Sequence, residues 1–139
     1  MKREIKRRSD CPINFAVEIF GDKWSLLIIR DLMFKNRKTY SEFLNSEEKI
    51  ATNILADRLA MLENAGLIRS HKNGAKKSGY KYQLTTKGVD LVPVMLEIVR
   101  WSATHDKDTG TPAAFIERVV NDRENFINEL KDSLSEAEV

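Results

Sequence analysis

One cysteine, Cys11, excludes an internal disulfide in this 139-residue chain, and only two histidines and three prolines accompany it. So few thiols and imidazoles cannot supply the spaced ligand set of a structural zinc site. The lone cysteine fits a reducing compartment, so a cytoplasmic protein is expected, associated with the nucleoid when on DNA. Long apolar runs are missing as well. The longest aliphatic stretch, Leu26-Leu27-Ile28-Ile29, stops at Arg30, far short of the roughly 20 residues a membrane helix requires. The basic start MKREIKRRSD leads into no apolar segment, so no secretory signal is expected. Neither Gly-x-Gly-x-x-Gly nor a phosphate-loop run occurs. His71 and His105 stand alone in polar stretches, His105 with only Asp106 and Asp108 nearby. Catalytic residues, metal and cofactor are therefore all expected to be none.

Charge is what the chain has, and it is unevenly placed. The net formal charge is only +2. Residues 1–105 hold 19 Lys/Arg against 12 Asp/Glu, whereas residues 106–139 hold 4 against 9. A basic working surface followed by an acidic segment with another task is the expected division.

Along the chain, Asp10 and Pro12 predict a helix start, followed by Ile13, Ala16, Val17 and Phe20 at helical spacing up to Gly21. A second helix is expected from about Lys23 to Met33, burying Trp24, Leu27, Ile28 and Leu32. Thr39 and Glu42 have capping-box spacing and open a short helix. A longer helix is expected from about Thr52 to Ala65, with Gly66 as its left-handed stop. Leu55, Leu59 and Leu62 share one face of it, while Asn53, Asp57 and Ala60 lie opposite. Alternation then replaces helical period at 67–72 and 80–84, the pattern of a β-hairpin. Between Arg69 and Lys81 that hairpin carries five cations and no acid.

Thr85 or Thr86 can cap a further helix, which Pro93 should bend or delay. Thr111-Pro112 predicts one last helix, with Ile116, Val120, Arg123, Ile127, Leu130 and Leu134 forming a stripe apolar except at Arg123. The expected organisation is a basic arm over 1–10, a DNA-binding domain over 11–105 and a C-terminal dimerisation helix over 106–139.

A short helix, a turn, a capped helix and a basic hairpin together make a winged helix-turn-helix, mainly α with one small hairpin. The capped helix can enter the major groove of double-stranded DNA while the hairpin lies along phosphates. Asn53 is the best base reader, because a carboxamide pairs bidentately with adenine. Thr52 suits a phosphate or a thymine methyl, and Ala56 lies at the edge of the outer face. Asp57 can orient Arg58 or accept from cytosine. Thr39, Arg58, Lys72, Lys76, Lys77 and Lys81 complete the candidate DNA-binding set, the lysines as backbone clamps that add affinity more than sequence preference.

The same residues resemble a known family. Cys11-Pro12, the run from Gly21-Asp22-Lys23-Trp24 to Leu32, and Tyr40-Ser41-Glu42-Phe43-Leu44 are similar to the HxlR-type winged-helix regulators. So are Ile50, Leu55, Arg58-Leu59, Leu62-Glu63, Gly66-Leu67-Ile68, Tyr82-Gln83-Leu84-Thr85, Gly88, Pro93 and Trp101. The resemblance covers about residues 11–101. It implies a dimeric repressor or activator, with repression the expected sense, a recognition helix over 51–64 and a wing over 69–83. Three departures stand out. Lys77-Ser78-Gly79 replaces the proline usual at the wing tip, Ala56 and Ala60 stand where polar or basic residues are common, and 106–139 extends past the family core.

The resemblance also makes Cys11 a candidate sensor of oxidants or electrophiles, through bridging between subunits or adduct formation. A thiol near a helix N-terminus with Lys6, Arg7 and Arg8 nearby in sequence suits that role. A homodimer on a pseudo-palindromic operator is expected, with Phe15, Ile19, Ile116, Val120, Ile127 and Leu130 at its interface. Two alternatives remain: a winged-helix module for protein–protein assembly, and a regulator with a small-molecule effector, identity unknown, at the dimer interface near Trp24 or Trp101. Burial in the core is the expected fate of both tryptophans.

Overall fold

A computed structural model describes residues 7–72 and 79–136. The chain divides into two compact units, one up to Gly88 and one from Val89 onward.

In the first unit, α1 (Pro12–Phe20) begins with proline in its first turn, where a missing N–H costs nothing. Its N-cap is Cys11, not the expected Asp10, and it makes no side-chain cap hydrogen bond. The helix stops at Gly21, where a Cβ would stand 2.5 Å from the Val17 carbonyl oxygen. The predicted inner face is not the observed one. Ile19 is buried, whereas Ile13 and Val17 are 74% and 45% exposed.

Helix α2 (Ser25–Phe34) starts two residues later than expected, after an N-cap Trp24 that makes no side-chain cap hydrogen bond; the preceding Asp22 serves the free amides in its place. The Asp22 carboxylate accepts from the amides of Trp24 and Ser25 at 2.8 and 2.9 Å and from the Ser25 hydroxyl at 2.5 Å. Ile28, Ile29, Leu32 and Met33 are buried, and Trp24 and Leu27 are half-buried. Asp31, 2% exposed, is buried with them. Its Oδ1 accepts from Arg30 at 2.8 Å and Arg37 at 3.0 Å, and its carbonyl oxygen from the amides of Lys35 and Arg37.

Helix α3 (Tyr40–Leu44) opens with the capping box foreseen from Thr39 and Glu42. Helix α4 (Thr52–Asn64) buries Leu55, Leu59 and Leu62, as their spacing requires. Gly66 at φ +80° then reverses the chain, a conformation that costs glycine no Cβ clash. Strands β1 (Ile68–Lys72) and β2 (Tyr80–Leu84) pair antiparallel, with Ile68 opposite Leu84 and Lys72 opposite Tyr80. Thr85 then takes up its predicted cap, accepting from the Gly88 amide at 3.2 Å above α5 (Thr86–Val89).

In the second unit, α6 (Val92–His105) carries Pro93 in its first turn, so proline delays the helix rather than bending it. Two helices replace the single one expected after residue 111: α7 (Ala113–Asn121) and α8 (Arg123–Glu136). The break falls at Asp122, with φ −138° and ψ 37°. Arg118, one turn earlier, forks onto the Asp122 carboxylate at 2.8 and 3.1 Å. Val119 and Phe126 are buried, and Phe126 meets Phe115 edge-on at 5.1 Å with the Arg118 guanidinium 4.6 Å from its ring centre. Arg123, whose role the stripe left open, pairs with Glu97 of α6.

Candidate nucleic-acid interface

Helices α3 and α4 form the helix-turn-helix pair, and their junction is fixed from both sides. The Tyr40 hydroxyl donates to the Thr52 carbonyl at 2.6 Å, tying α3 to the first turn of α4. At the other end, Lys87 Nζ donates to the Ala65 carbonyl at 2.8 Å and the Thr85 hydroxyl to the Gly66 carbonyl at 2.5 Å. These are the carbonyls a helix end leaves without a partner. Held in this way, α4 turns Leu55, Leu59 and Leu62 inward and exposes Thr52, Asn53, Ala56, Asp57 and Ala60.

The hairpin is stitched to α3. Lys81 bridges Thr39 backbone to backbone, and the Tyr82 amide donates to the Lys38 carbonyl at 2.8 Å. Thr39 itself is occupied by its cap, accepting from the Glu42 amide while Glu42 accepts from the amides of Lys38 and Thr39. Those amides, the Thr39 hydroxyl and the charge of Lys81 hold the Glu42 carboxyl below its ordinary range, against a desolvation cost. Burial raises the Tyr82 hydroxyl, with Glu63 and two other tyrosines adding to it.

Thr39, Thr52, Asn53, Ala56, Asp57, Lys72 and Lys81 thus share the first unit, with α4 and the hairpin joined through Gly66. Lys76 and Lys77 lie outside the described residues. Arg58 meets Asp57, one of the two roles expected of that acid, and a second carboxylate that was not expected. Its guanidinium binds Asp57 at 2.6 Å and reaches Asp22, beyond α1, at 3.3 Å. The Asp57 hydrogen bond raises its pKa above the usual arginine value despite partial burial. For Asp22, burial opposes ionisation, but hydrogen bonds from Ser25 and Trp24 and the Arg58 charge outweigh it and lower the pKa.

Sequence reasoning missed three of these residues. Asp22 stands three positions before Ser25, a spacing that could have suggested a cap. Tyr40 and Lys87 act on carbonyls far away in sequence, and no local pattern signals that.

Elsewhere, Cys11 is exposed at the start of α1. Its basic neighbours are engaged with other groups: Arg8 pairs with Glu18 at 2.5 Å, and the Arg7 guanidinium sits 5.7 Å from the Phe15 ring centre. Ile19 is in the core and so leaves the candidate dimer surface, while Val120 is exposed and Phe15 partly so. Ile116, Ile127 and Leu130 are half-buried. Trp101 is 67% exposed, contrary to the core position expected for it, and its ring stands 5.0 Å from that of His105. Among the described residues no cluster of His, Cys, Asp and Glu is suited to a metal, and no helix is long and apolar enough to cross a membrane.

Residues 19–109 match the family described as HxlR-like helix-turn-helix. The chain belongs to that family. It is a family of transcriptional regulators and not of enzymes. Among its relatives is sll1512 of Synechocystis sp., named as an uncharacterised HTH-type transcriptional regulator, 31% identical over 62% of this chain. The match spans 63% of that relative, under two thirds of its length. Of solved structures, PA1607, described as a candidate transcription factor, superposes with a TM-score of 0.64 at 30% identity, covering 76% of this chain and 81% of its own. The reduced form of the transcriptional regulator YodB from B. subtilis gives a TM-score of 0.59 at 27% identity over 73% of this chain and 99% of YodB. YodB is also known in a diamide-treated form. The winged-helix fold expected from the sequence is the fold these proteins share.

Proposed function

We propose that this HxlR-family chain regulates transcription as a homodimer that reads a pseudo-palindromic duplex with α4 and grips its phosphates with the hairpin. One observation carries the reading: the side of α4 away from the core exposes Thr52, Asn53, Ala56, Asp57 and Ala60 together. Small residues at 56 and 60 let the helix approach base edges closely, and Asn53 in the first turn supplies the bidentate group for adenine. Lys72 and Lys81 lie on the hairpin that follows that helix, on its two opposite faces, and are assigned to backbone contacts together with Lys76 and Lys77.

Dimerisation is supported by the exposed apolar residues of α1. Ile13 and Val17 lie one turn apart on one face and uncovered, and a helix surface of this kind is normally shielded in a working assembly. Val120 on α7 is a second such residue. Cys11, at the head of α1, is the candidate thiol for redox control. Its exposure and the existence of YodB in reduced and diamide-treated forms support that role. The sensing step is rejected if oxidising or alkylating Cys11 leaves DNA affinity unaltered.

The test is a titration of fluorescent duplexes from upstream of the chain's own gene across a salt series. With about six phosphates neutralised, log affinity should fall against log salt with a slope of about −5. Replacing Lys76 and Lys77 with Ala should weaken binding to all sequences alike, and Asn53→Ala should cost about 1–3 kcal/mol at one base position. Absence of salt-dependent binding would leave the protein–protein module as the surviving reading.

A further inference from the structure

Arg58 is the only cation on α4, and in a helix that enters a groove such a residue invites assignment as a DNA contact. Its surroundings say otherwise. The guanidinium is engaged by two carboxylates, Asp57 Oδ2 at 2.6 and 3.2 Å and Asp22 Oδ1 at 3.3 Å, and the side chain is only 22% exposed. Asp22 is itself immobilised, because its other oxygen caps α2 through the amides of Trp24 and Ser25. The bridge therefore joins the middle of α4 to the rigid start of α2. Tyr40 fixes the first turn of α4 and Lys87 its end. Fixing both ends limits tilt. A side-chain fork in the middle, on the flank between buried and exposed faces, limits rotation about the helix axis.

Rotation matters more than tilt for reading bases. Successive residues are set about 100° apart around a helix, so a turn of some 20° redirects every side chain on the exposed face. Bidentate pairing is sensitive to that change, whereas attraction to phosphates is not.

We infer that Arg58 and Asp22 are positioning residues that set the rotation of α4 and thereby the sequence discrimination of this protein, and that Arg58 does not contact DNA. The inference rests on the DNA-binding reading above and assigns these two side chains a place within it.

The experiment uses the full chain and two probes: a duplex selected by the unaltered protein from a randomised library, and a scrambled duplex of equal length. Asp22→Asn and Arg58→Gln should each weaken binding to the selected duplex about fivefold, and the double variant should be no worse than either single one, as expected for residues that act as a pair. The scrambled duplex should show the same salt slope with every variant. Arg58→Lys, which keeps a cation opposite Asp22, should recover part of the loss. Phe126→Ala separates positioning from general destabilisation, because it removes the contact with Phe115 and touches neither Asp22 nor Arg58. It should lower the melting temperature yet retain discrimination.

Three results would overturn the inference: a salt slope reduced by about one in Arg58→Gln, which marks a direct phosphate contact; a loss in Arg58→Gln with none in Asp22→Asn; or equal loss of discrimination in Phe126→Ala. Failure of the unaltered protein to select any duplex would instead defeat the DNA-binding reading itself.

Discussion

Replacing Asp31 with Asn is the sharpest test of how the helix-turn-helix is held in place. The carboxylate is buried, its Oδ1 serves Arg30 and Arg37 at 2.8 and 3.0 Å, and its carbonyl oxygen anchors the amides of Lys35 and Arg37. Arg30 also forks onto Glu48 beyond α3, at 2.7 and 2.9 Å. Asp31 thus lies at the centre of a charge cluster that ties α2 to both flanks of α3. Breaking a buried pair by removing one partner costs about 3–5 kcal/mol. Here the two arginine side chains are 21% and 26% exposed and can turn outward, so the lower end, about 3 kcal/mol, is expected. In a protein of this size that corresponds to a fall of about 10 °C in Tm. Arg37→Ala removes one half-buried arm of the cluster and should cost about 1 kcal/mol. Urea titration monitored by far-UV circular dichroism measures both. If Asp31→Asn costs less than 1 kcal/mol, or no more than Arg37→Ala, the cluster does not hold the fold as described.

Gly88→Ala should destabilise by about 2 kcal/mol or more, because its Cβ would lie 2.2 Å from the Leu67 carbonyl oxygen and 3.0 Å from a Leu84 methyl; a denaturation midpoint equal to that of the unaltered protein would contradict the close approach. Phe126→Ala removes the edge-on contact with Phe115 and the Arg118 cation over its ring, and should cost about 3 kcal/mol, read from amide exchange in α7 and α8. The Glu42 carboxyl has a lowered folded-state pKa, so its stabilising effect is complete above its unfolded pKa and is lost as pH falls through the folded value. Melting curves between pH 5 and pH 3 should accordingly decline more steeply in the unaltered protein than in Glu42→Gln.

Much of the candidate interface was legible because it is encoded locally. Thr39 and Glu42 sit three residues apart, which is the reach of a capping box, and both hydrogen bonds form. The leucines at 55, 59 and 62 follow the helical period, and Gly66 marks the reversal that only a residue without Cβ makes cheaply. Other features depend on groups distant in sequence. Periodicity identified the apolar residues of α1, but it could not tell that Ile13 and Val17 would be left uncovered. The stripe of the last segment carries on at helical spacing across residue 122, so nothing in it signalled the stop, which is seen in the non-helical backbone of Asp122. The adjacency of Asp57 and Arg58 made their pairing legible, whereas the second partner of Arg58, Asp22, lies on another element.

The abrupt passage from α4 through Gly66 into β1 has a mechanical consequence. Only Ala65, Gly66 and Leu67 separate the helix from the strand, and Leu67 and Ile68 are buried, so the joint behaves as an elbow with no slack. Strand β1 extends roughly 17 Å from that joint over its five residues. A pivot of ten degrees at the helix would swing the Lys72 end sideways by about 3 Å, nearly half the gap between neighbouring phosphates. Under the DNA-binding reading proposed above, an effector that nudged the helix would move α4 and the hairpin lysine together, with a small displacement at one geared up at the other.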